Sequence, residues 1–390
     1  MSKVPNQKFQ TKSSKPKVFV GLSGGVDSSV AAALLTQQGY DATGVFIKIW
    51  DEKWGNCAWP EERRDAMKVA IKLGIPFKTL DLSAEYKKEV VNYMVREYKA
   101  GRTPNPDVMC NKTIKFGAFL KWAVSQGADF VATGHYVRIS NDEFLISNQI
   151  PNSKFQIPKK SQIINSKFQK ILSCGVDNGK DQSYFLWQLK QNQLKHCLFP
   201  VGEYKKSEVR KMAKELGLPT AEKKDSQGIC FVGRMGMKEF LKKYIKAERG
   251  DVLNTKGEKI GYHDGAVFYT IGQRHGFTII AKGTDDKPMY IVTKDVKRNT
   301  VVVSEQQIVN SEQGKKVVIH QTNWITDEPD KNKAYKCRFR HLQPLFHCSI
   351  APLLKGQYRV EFDKPQEGIA AGQSLVIYDG QKCLGGGIIK

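Results

Sequence analysis

The 390-residue chain lacks any run of ~18 consecutive apolar residues, so no transmembrane helix is expected. Met1 to Lys17 lacks the apolar core of a secretory signal. That stretch is polar and lysine-rich, without acids, as in a transit peptide, but also without arginine; a solvated tail is the simpler reading, and a cytoplasmic location is expected. No two of the eight cysteines (Cys57, Cys110, Cys174, Cys197, Cys230, Cys337, Cys348, Cys383) have Cys-x-x-Cys spacing. Their scatter excludes a secreted disulfide framework and argues against a zinc or iron–sulfur site, so no protein-held metal is expected. Acids are scarce as well: 39 Asp and Glu stand against 62 Lys and Arg, a net charge of +23. A chain this basic is expected to meet a polyanion, nucleic acid first, unless a lysine-rich proteome explains the bias. At 40% hydrophobic residues there is enough apolar material for real cores, and the length predicts two or three domains.

The first third alternates strand and helix. Val18–Val20 and Ala42–Ile49 read as strands; Glu61–Leu73 reads as a helix with Ala66, Val69, Ala70 and Leu73 on one face. Ile75–Leu80 and Asp129–Thr133 are further strands, and Tyr86–Tyr98 and Lys112–Ser125 further helices. This alternation predicts an α/β fold with a doubly wound parallel sheet, whose ligands lie beyond the carboxyl ends of the strands. The loops Gly21–Ser28, around Ile47 and at Gly134-His135 are therefore expected to converge. Asn141–Lys170, rich in Asn, Ser, Gln and Lys, reads as a long surface excursion. Ser207–Leu216 is a helix. From about Phe231 Gly-rich turns and short strands take over, and runs at Val301–Val303, Lys316–His320, Tyr335–Arg340, Tyr358–Phe362, Ser374–Tyr378 and Cys383–Ile389 predict a small C-terminal β-barrel. The expected division is a tail over 1–17, an ATP-binding catalytic domain over 18–225 with an insertion at 141–170, a small central domain over 226–297 and a barrel over 298–390. In Lys336–Arg340 alternation puts three cations on one face, either a soluble edge or a phosphate-contacting surface.

The most informative stretch is Gly21-Leu22-Ser23-Gly24-Gly25-Val26-Asp27-Ser28, between the first strand and the first helix. A strand, a glycine-rich turn and a helix start offer backbone N–H groups to a phosphate. No Gly-Lys-Ser/Thr follows, so this is not a Walker loop. Asp27 stands at the phosphate end instead, where a carboxylate makes sense with Mg²⁺ between it and the phosphates. The Ser23–Ser28 motif resembles the PP-loop of the ATP pyrophosphatase superfamily, which implies ATP cleavage between the α- and β-phosphates and adenylation of an oxygen.

Thr103–Lys112 places Asp107 three residues before Cys110, behind two prolines that stiffen the approach. A helix N-terminus with Lys112 and Lys115 nearby favours a reactive thiolate; an ordinary capping loop with a bystander cysteine fits equally well. A second cysteine, Cys230, sits in the polar loop Asp225–Gly233 beside Lys223 and Lys224. Together with Asn105-Pro106-Asp107, Ala132–Tyr136, Lys180–Tyr184, Gly372-Gln373-Ser374 and Cys383–Gly387, these motifs resemble the bacterial tRNA-specific 2-thiouridylases nearly end to end. Phe339 stands where that family commonly has Tyr, His275 where it has Lys and Ala371 where it has Pro; Asn141–Lys170 looks inserted.

The resemblance implies an ATP- and Mg²⁺-dependent sulfurtransferase acting on the wobble uridine of tRNAs for Lys, Glu and Gln, fed by a persulfide donor such as a cysteine desulfurase or a sulfur-relay protein. It implies that Cys230 receives the persulfide sulfur, that Cys110 attacks it and closes a transient Cys110–Cys230 disulfide, and that Asp107 exchanges a proton with the base or leaving oxygen. ATP would be held by Gly21, Leu22, Ser23, Gly24, Gly25, Val26, Asp27, Ser28, Ile47 and Gly134. The tRNA would meet Asn105, Pro106, Asp107, His135, Lys180, Asp181, Gln182, Arg338, Phe339 and Gln373. For His135 a buried hydrogen-bonding role is the competing reading; the remaining six cysteines read as packing or bystanders. Two rivals stay open: another PP-loop enzyme, such as a lysidine synthetase or an amidating synthetase, and a non-catalytic RNA-binding protein.

Overall fold

Val18 and Val20 point to one side of the first strand and Phe19 to the other, and all three are buried. A strand apolar on both faces belongs inside a sheet covered on both sides, and that is its place. The computed structural model describes residues 15–50, 59–141, 169–224, 236–280, 287–305 and 314–390. The expectations for the tail up to residue 14, for Cys57, for the bulk of the 141–170 excursion and for the Cys230 loop lie outside these residues.

Strands β1 (Lys17–Gly21), β2 (Asp41–Lys48), β3 (Phe77–Asp81) and β4 (Phe130–Ala132), with the short β7 (Cys197–Leu198), form a parallel sheet in the order β3-β2-β1-β4-β7. Val18 and Val20 pack with α1 (Val26–Gln37) and α2 (Trp59–Leu73). Phe19 packs on the opposite side with α3 (residues 83–99) and α4 (residues 106–125). Both later helices contain wide turns, at Lys87–Val91 and Asn111–Phe119. The sheet is thus doubly wound, and its strand order reverses between β1 and β4, the switch point where such folds bind ligands.

The middle of the chain builds a second sheet, β10-β9-β8-β12-β11, from β8 (Gly250–Leu253), β9 (Lys259–His263), β10 (Phe277–Ile279), β11 (Tyr290–Asp295) and β12 (Thr300–Ser304). The Val301–Val303 run, expected in the C-terminal barrel, belongs here: it pairs with β8 and β11. The barrel takes its sixth strand from β15 (Phe346–Pro352) instead, which buries Cys348 and Ile350 and packs Phe346 against the same core. With β13 (Lys316–Trp324), β14 (Tyr335–Arg338), β16 (Tyr358–Phe362), β17 (Ser374–Asp379) and β18 (Lys382–Ile389) it closes, because β13 pairs with both β16 and β18. An antiparallel hairpin, β5 (Val137–Asn141) and β6 (Lys170–Cys174), joins this sheet through Ser173 and Lys382. These two strands flank the polar excursion and tie the first domain to the barrel. Among the described residues no helix is long and apolar enough to cross a membrane.

Four histidines contribute to the acid response of this fold. Burial, reinforced by Lys115, holds His135 well below the ordinary histidine range. Burial, with Arg338 nearby, takes His341 down to about 4, and burial lowers His263 and His320 too. Depressed histidine pKa values mean that the unfolded chain takes up more protons as pH falls below about 6.5, so the stability they lend is present above that pH and lost beneath it. Glu62 and Glu203, raised by burial, act in the opposite sense from about pH 4.5 upward. His341 stacks on Phe185, with ring centroids 4.4 Å apart. His341→Phe is therefore expected to keep the stack and flatten the decline in urea midpoint between pH 6.5 and pH 4. An unchanged slope would rule His341 out as a contributor.

Candidate active site

The Gly21–Ser28 loop leaves β1 and enters α1 at the switch point. Gly24 adopts a left-handed φ of 73°, and a Cβ there would lie 2.4 Å from the Glu62 carbonyl oxygen, so α2 closes one wall against bare backbone. Ser28 Oγ accepts from the Ser23 N–H at 3.2 Å, and Ser29 Oγ donates to the Gly25 carbonyl at 2.7 Å, which stiffens the turn. The start of α1 carries no side-chain cap at Gly25, leaving a helix N-terminus suited to phosphate. Leu22 and Val26 are buried in the core, so only their backbone can face a nucleotide. Gly134 comes up beside the loop: a Cβ there would fall 2.6 Å from Ser28 N. Ile47, half-buried, is the last residue but one of β2, toward the same end of the sheet. The expected convergence at the strand ends is what the structure shows for Gly21–Ser28 and Gly134.

Asp27 is held from two sides. The Tyr136 hydroxyl donates to its Oδ1 at 2.7 Å, and Lys206 Nζ lies 2.6 Å from the same oxygen. Lys206 opens helix α5 (Lys206–Glu215), 179 residues away in the chain. Nothing in its local sequence announced it, because its neighbours read only as a helix start.

Helix α4 brings in the second group. Asn105 caps it, its side-chain oxygen accepting from the N–H groups of Asp107 and Val108 at 3.1 Å each, and Pro106 takes the first helical position. Asp107, half-buried, and Cys110, buried at 2% exposure, are three residues apart and so share a face of the helix. Cys110 is the fifth helical residue, just beyond the first turn that feels the positive helix end most. Farther along, Phe116 packs on His135, and a Cβ added at Gly21 would lie 3.8 Å from the Phe119 ring. The helix that carries Cys110 therefore runs along the nucleotide loops.

The approach to α4 is gripped by both other domains. Thr103 donates its N–H to the Ala371 carbonyl at 2.8 Å, and its hydroxyl lies 3.1 Å from that of Thr270. Gly372 packs so closely on Arg102 and Thr103 that a Cβ would sit 2.9 Å from Thr103 N. Tyr184, hydrogen-bonded to the Asn105 side chain, places its hydroxyl 2.9 Å from the carbonyls of both Phe339 and Ser374, either of which can accept its one proton.

The residues expected at a tRNA surface divide. Lys180, Gln182 and Gln373 are partly exposed; Gln182 also binds the Tyr136 N–H through Oε1 at 3.0 Å. His135 is buried, its Nδ1 2.7 Å from the Thr133 hydroxyl and its ring between Phe116 and Phe199, which is the hydrogen-bonded arrangement that competed with contact. The three-cation face does not form. Lys336 is exposed, Arg340 turns to the Ile271 and Gly368 carbonyls, and Arg338 and Phe339 are buried. The strand ends at Arg338, and beyond it strict alternation no longer governs. Arg338 pairs with Asp181, itself 3% exposed, and both bond to a network of Ser183 and Tyr378. This ion pair staples the barrel to the first domain.

Burial pushes the thiols of Cys174 (to about 11), Cys197 and Cys383 up, and a bond from Cys348 followed by burial does so for Cys337. Such thiols stay protonated, as packing residues do.

Family profiles cover almost the whole chain. Residues 16–234 match a profile described as "tRNA methyl transferase HUP domain", 238–305 the "tRNA methyl transferase PRC-barrel domain" and 314–389 an "Aminomethyltransferase beta-barrel domain". The tRNA-specific 2-thiouridylase MnmA of Streptococcus uberis is 44% identical over 383 residues, spanning 96% of this chain and 95% of that one. The chain belongs to the tRNA-specific 2-thiouridylase family. The enzymes of the same name from Streptococcus pyogenes serotype M49 (44% identical, 97% of this chain and 96% of that one) and Geobacillus thermodenitrificans (43%, 96% and 94%) agree with it end to end. The profile boundaries follow the strands of the middle sheet and the barrel, with β12 in the middle match and β13 to β18 in the last, while the β5–β6 hairpin that joins the barrel sheet lies in the first.

Proposed function

We propose that the protein adenylates O2 of the wobble uridine of tRNA and replaces that oxygen with persulfide sulfur, giving 2-thiouridine, AMP and pyrophosphate. The observation that carries this reading is the placement of α4. It sets Asp107 and Cys110 on the helix that packs against both nucleotide loops, in a chain 44% identical over its length to a named 2-thiouridylase.

The chemistry fits the parts. Uridine O2 is a poor leaving group, and adenylation makes it a good one. The uncapped start of α1, with Gly24, Gly25 and Gly134 keeping side chains out of the way, suits the triphosphate. Among the described residues no cluster of three or more His, Cys, Asp or Glu could cage a metal by itself. A single carboxylate beside phosphates is how Mg²⁺ is usually bound, so Asp27 would share the ion with ATP, and the ion would neutralise phosphate charge. Cys230 carries the persulfide, whose outer sulfur attacks C2 and displaces AMP. Cys110 thiolate then attacks the Cys230 sulfur. The sulfur–sulfur bond breaks, its electron pair stays with the transferred sulfur, and a Cys110–Cys230 disulfide forms, to be reduced by an external thiol before the next turnover. Asp107 exchanges the proton at the base. The target uridine leaves its stack to reach this buried position. Lys180, Gln182 and Gln373 are the partly exposed groups proposed to meet the tRNA, and the +23 net charge supplies long-range attraction.

Incubation with unmodified tRNA, Mg·ATP and a persulfide donor is expected to release AMP and pyrophosphate. Release of ADP and orthophosphate would overturn the assignment of the loop.

A further inference from the structure

We infer that Lys206 is the cation that receives the departing pyrophosphate, exchanging Asp27 for phosphate oxygens once the nucleotide binds. This rests on the ATP-cleaving reading given above and adds a residue to it.

Lys206 Nζ lies 2.6 Å from Asp27 Oδ1, and its side chain is only 12% exposed against 33% for Asp27. It is not a loose surface pair. Its ammonium also stands 5.8 Å from the centre of the Tyr136 ring, whose hydroxyl binds the same Asp27 oxygen. The backbone is fixed too. The Lys206 N–H donates to Asp177 Oδ2 at 2.9 Å, and Val209 and Ala213 of α5 pack against Val30 and Ala33 of α1.

The electrostatics of that position point to an anion. Lys206 is the first residue of α5, and Asp27 the second of α1, so the ammonium sits where two helix N-termini meet. Both helix ends are partially positive, which disfavours a cation there. Asp27 offsets this in the nucleotide-free protein. A triphosphate on the uncapped end of α1 brings more negative charge than one carboxylate, and it arrives beside the ammonium.

Lys206 itself transfers no proton in this step; the N3 proton of the uridine, made acidic by adenylation at O2, is the one Asp107 exchanges. Uridine O2 bonds to the α-phosphorus, the bond from that phosphorus to the bridging oxygen breaks, and its electron pair goes to pyrophosphate. Lys206 donates hydrogen bonds to the new anion while Asp27 is released toward the cation that accompanies it.

The test compares wild type, Lys206→Met and Lys206→Arg for binding of Mg²⁺-pyrophosphate and of AMP by calorimetry, with melting temperature as a fold control. Lys206→Met is expected to weaken pyrophosphate ~10- to 100-fold, the size of a lost charge-assisted hydrogen bond, and to leave AMP within about twofold. Lys206→Arg is expected to keep most of the pyrophosphate affinity. Wild-type pyrophosphate binding by Lys206→Met would show that the lysine only braces Asp27. If the methionine variant does not fold, Lys206→Gln is measured against the same two outcomes. Should the wild-type protein itself release ADP from ATP, the reading of the loop fails, whatever these variants do.

Discussion

Cys110→Ser is expected to lower 2-thiouridine formation at least ~10³-fold while the protein folds and binds ATP normally. Removing a nucleophile that works as part of a unit costs on that order. The exchange of sulfur for oxygen at a site 2% exposed changes little volume, and Cys110 packs among apolar groups of α4 and its neighbours, so the fold is expected to persist. The loss is expected to be specific to sulfur transfer. With unmodified tRNA and a persulfide donor the variant still releases pyrophosphate and AMP in a first turnover, because adenylation and displacement of AMP by the Cys230 persulfide both precede the attack of Cys110. Cys230→Ser is expected to abolish thiolation too but to stop one step earlier, releasing pyrophosphate without displacement of AMP by sulfur, and the double variant is expected to match Cys230→Ser. Mass spectrometry of tRNA nucleosides beside single-turnover nucleotide analysis reads both. Normal thiolation by either single variant would remove the two-cysteine mechanism.

The second large effect is on stability. Arg338→Met is expected to cost about 3–5 kcal/mol, because it strands Asp181 as a buried charge. Both side chains are nearly sealed, at 7% and 4% exposure, and Arg338 also serves Tyr378. Total domain stability is ordinarily only ~5–15 kcal/mol, so much of it goes. The double change Asp181→Asn with Arg338→Met is expected to recover part of the loss, since no buried charge is left unpaired. Urea denaturation followed in parallel by tryptophan fluorescence and circular dichroism measures it. A single variant within about 0.5 kcal/mol of wild type, the range of ordinary surface changes, would mean the pair does not couple barrel and sheet.

These two effects mark where the sequence was informative and where it fell silent. The PP-loop, the parallel sheet and most of the C-terminal strands were legible because each is written locally: an apolar strand, a glycine turn, an alternation. Val301–Val303 looked like a barrel strand because strand character carries no address; pairing with Asp251–Leu253 decided its sheet. Phe346–Pro352 was not read as a strand although Phe346, Cys348 and Ile350 alternate toward the barrel core. Arg338 read as a tRNA contact because its partner, Asp181, lies 157 residues away. A cation in a basic chain looks solvated until the fold brings it a carboxylate. Lys206 was missed for the same reason: its role depends on Asp27, at the other end of the first domain. The residues near Asp107 and Cys110 were readable as a unit because Asn105 and Pro106 write a helix start in adjacent letters.

The most direct test takes the purified protein with unmodified tRNA, Mg·ATP and a persulfide donor, and counts products. The account predicts one 2-thiouridine at the wobble position for each AMP and each pyrophosphate released. Unchanged uridine, or sulfur incorporated while ATP ends as ADP and orthophosphate, would contradict it.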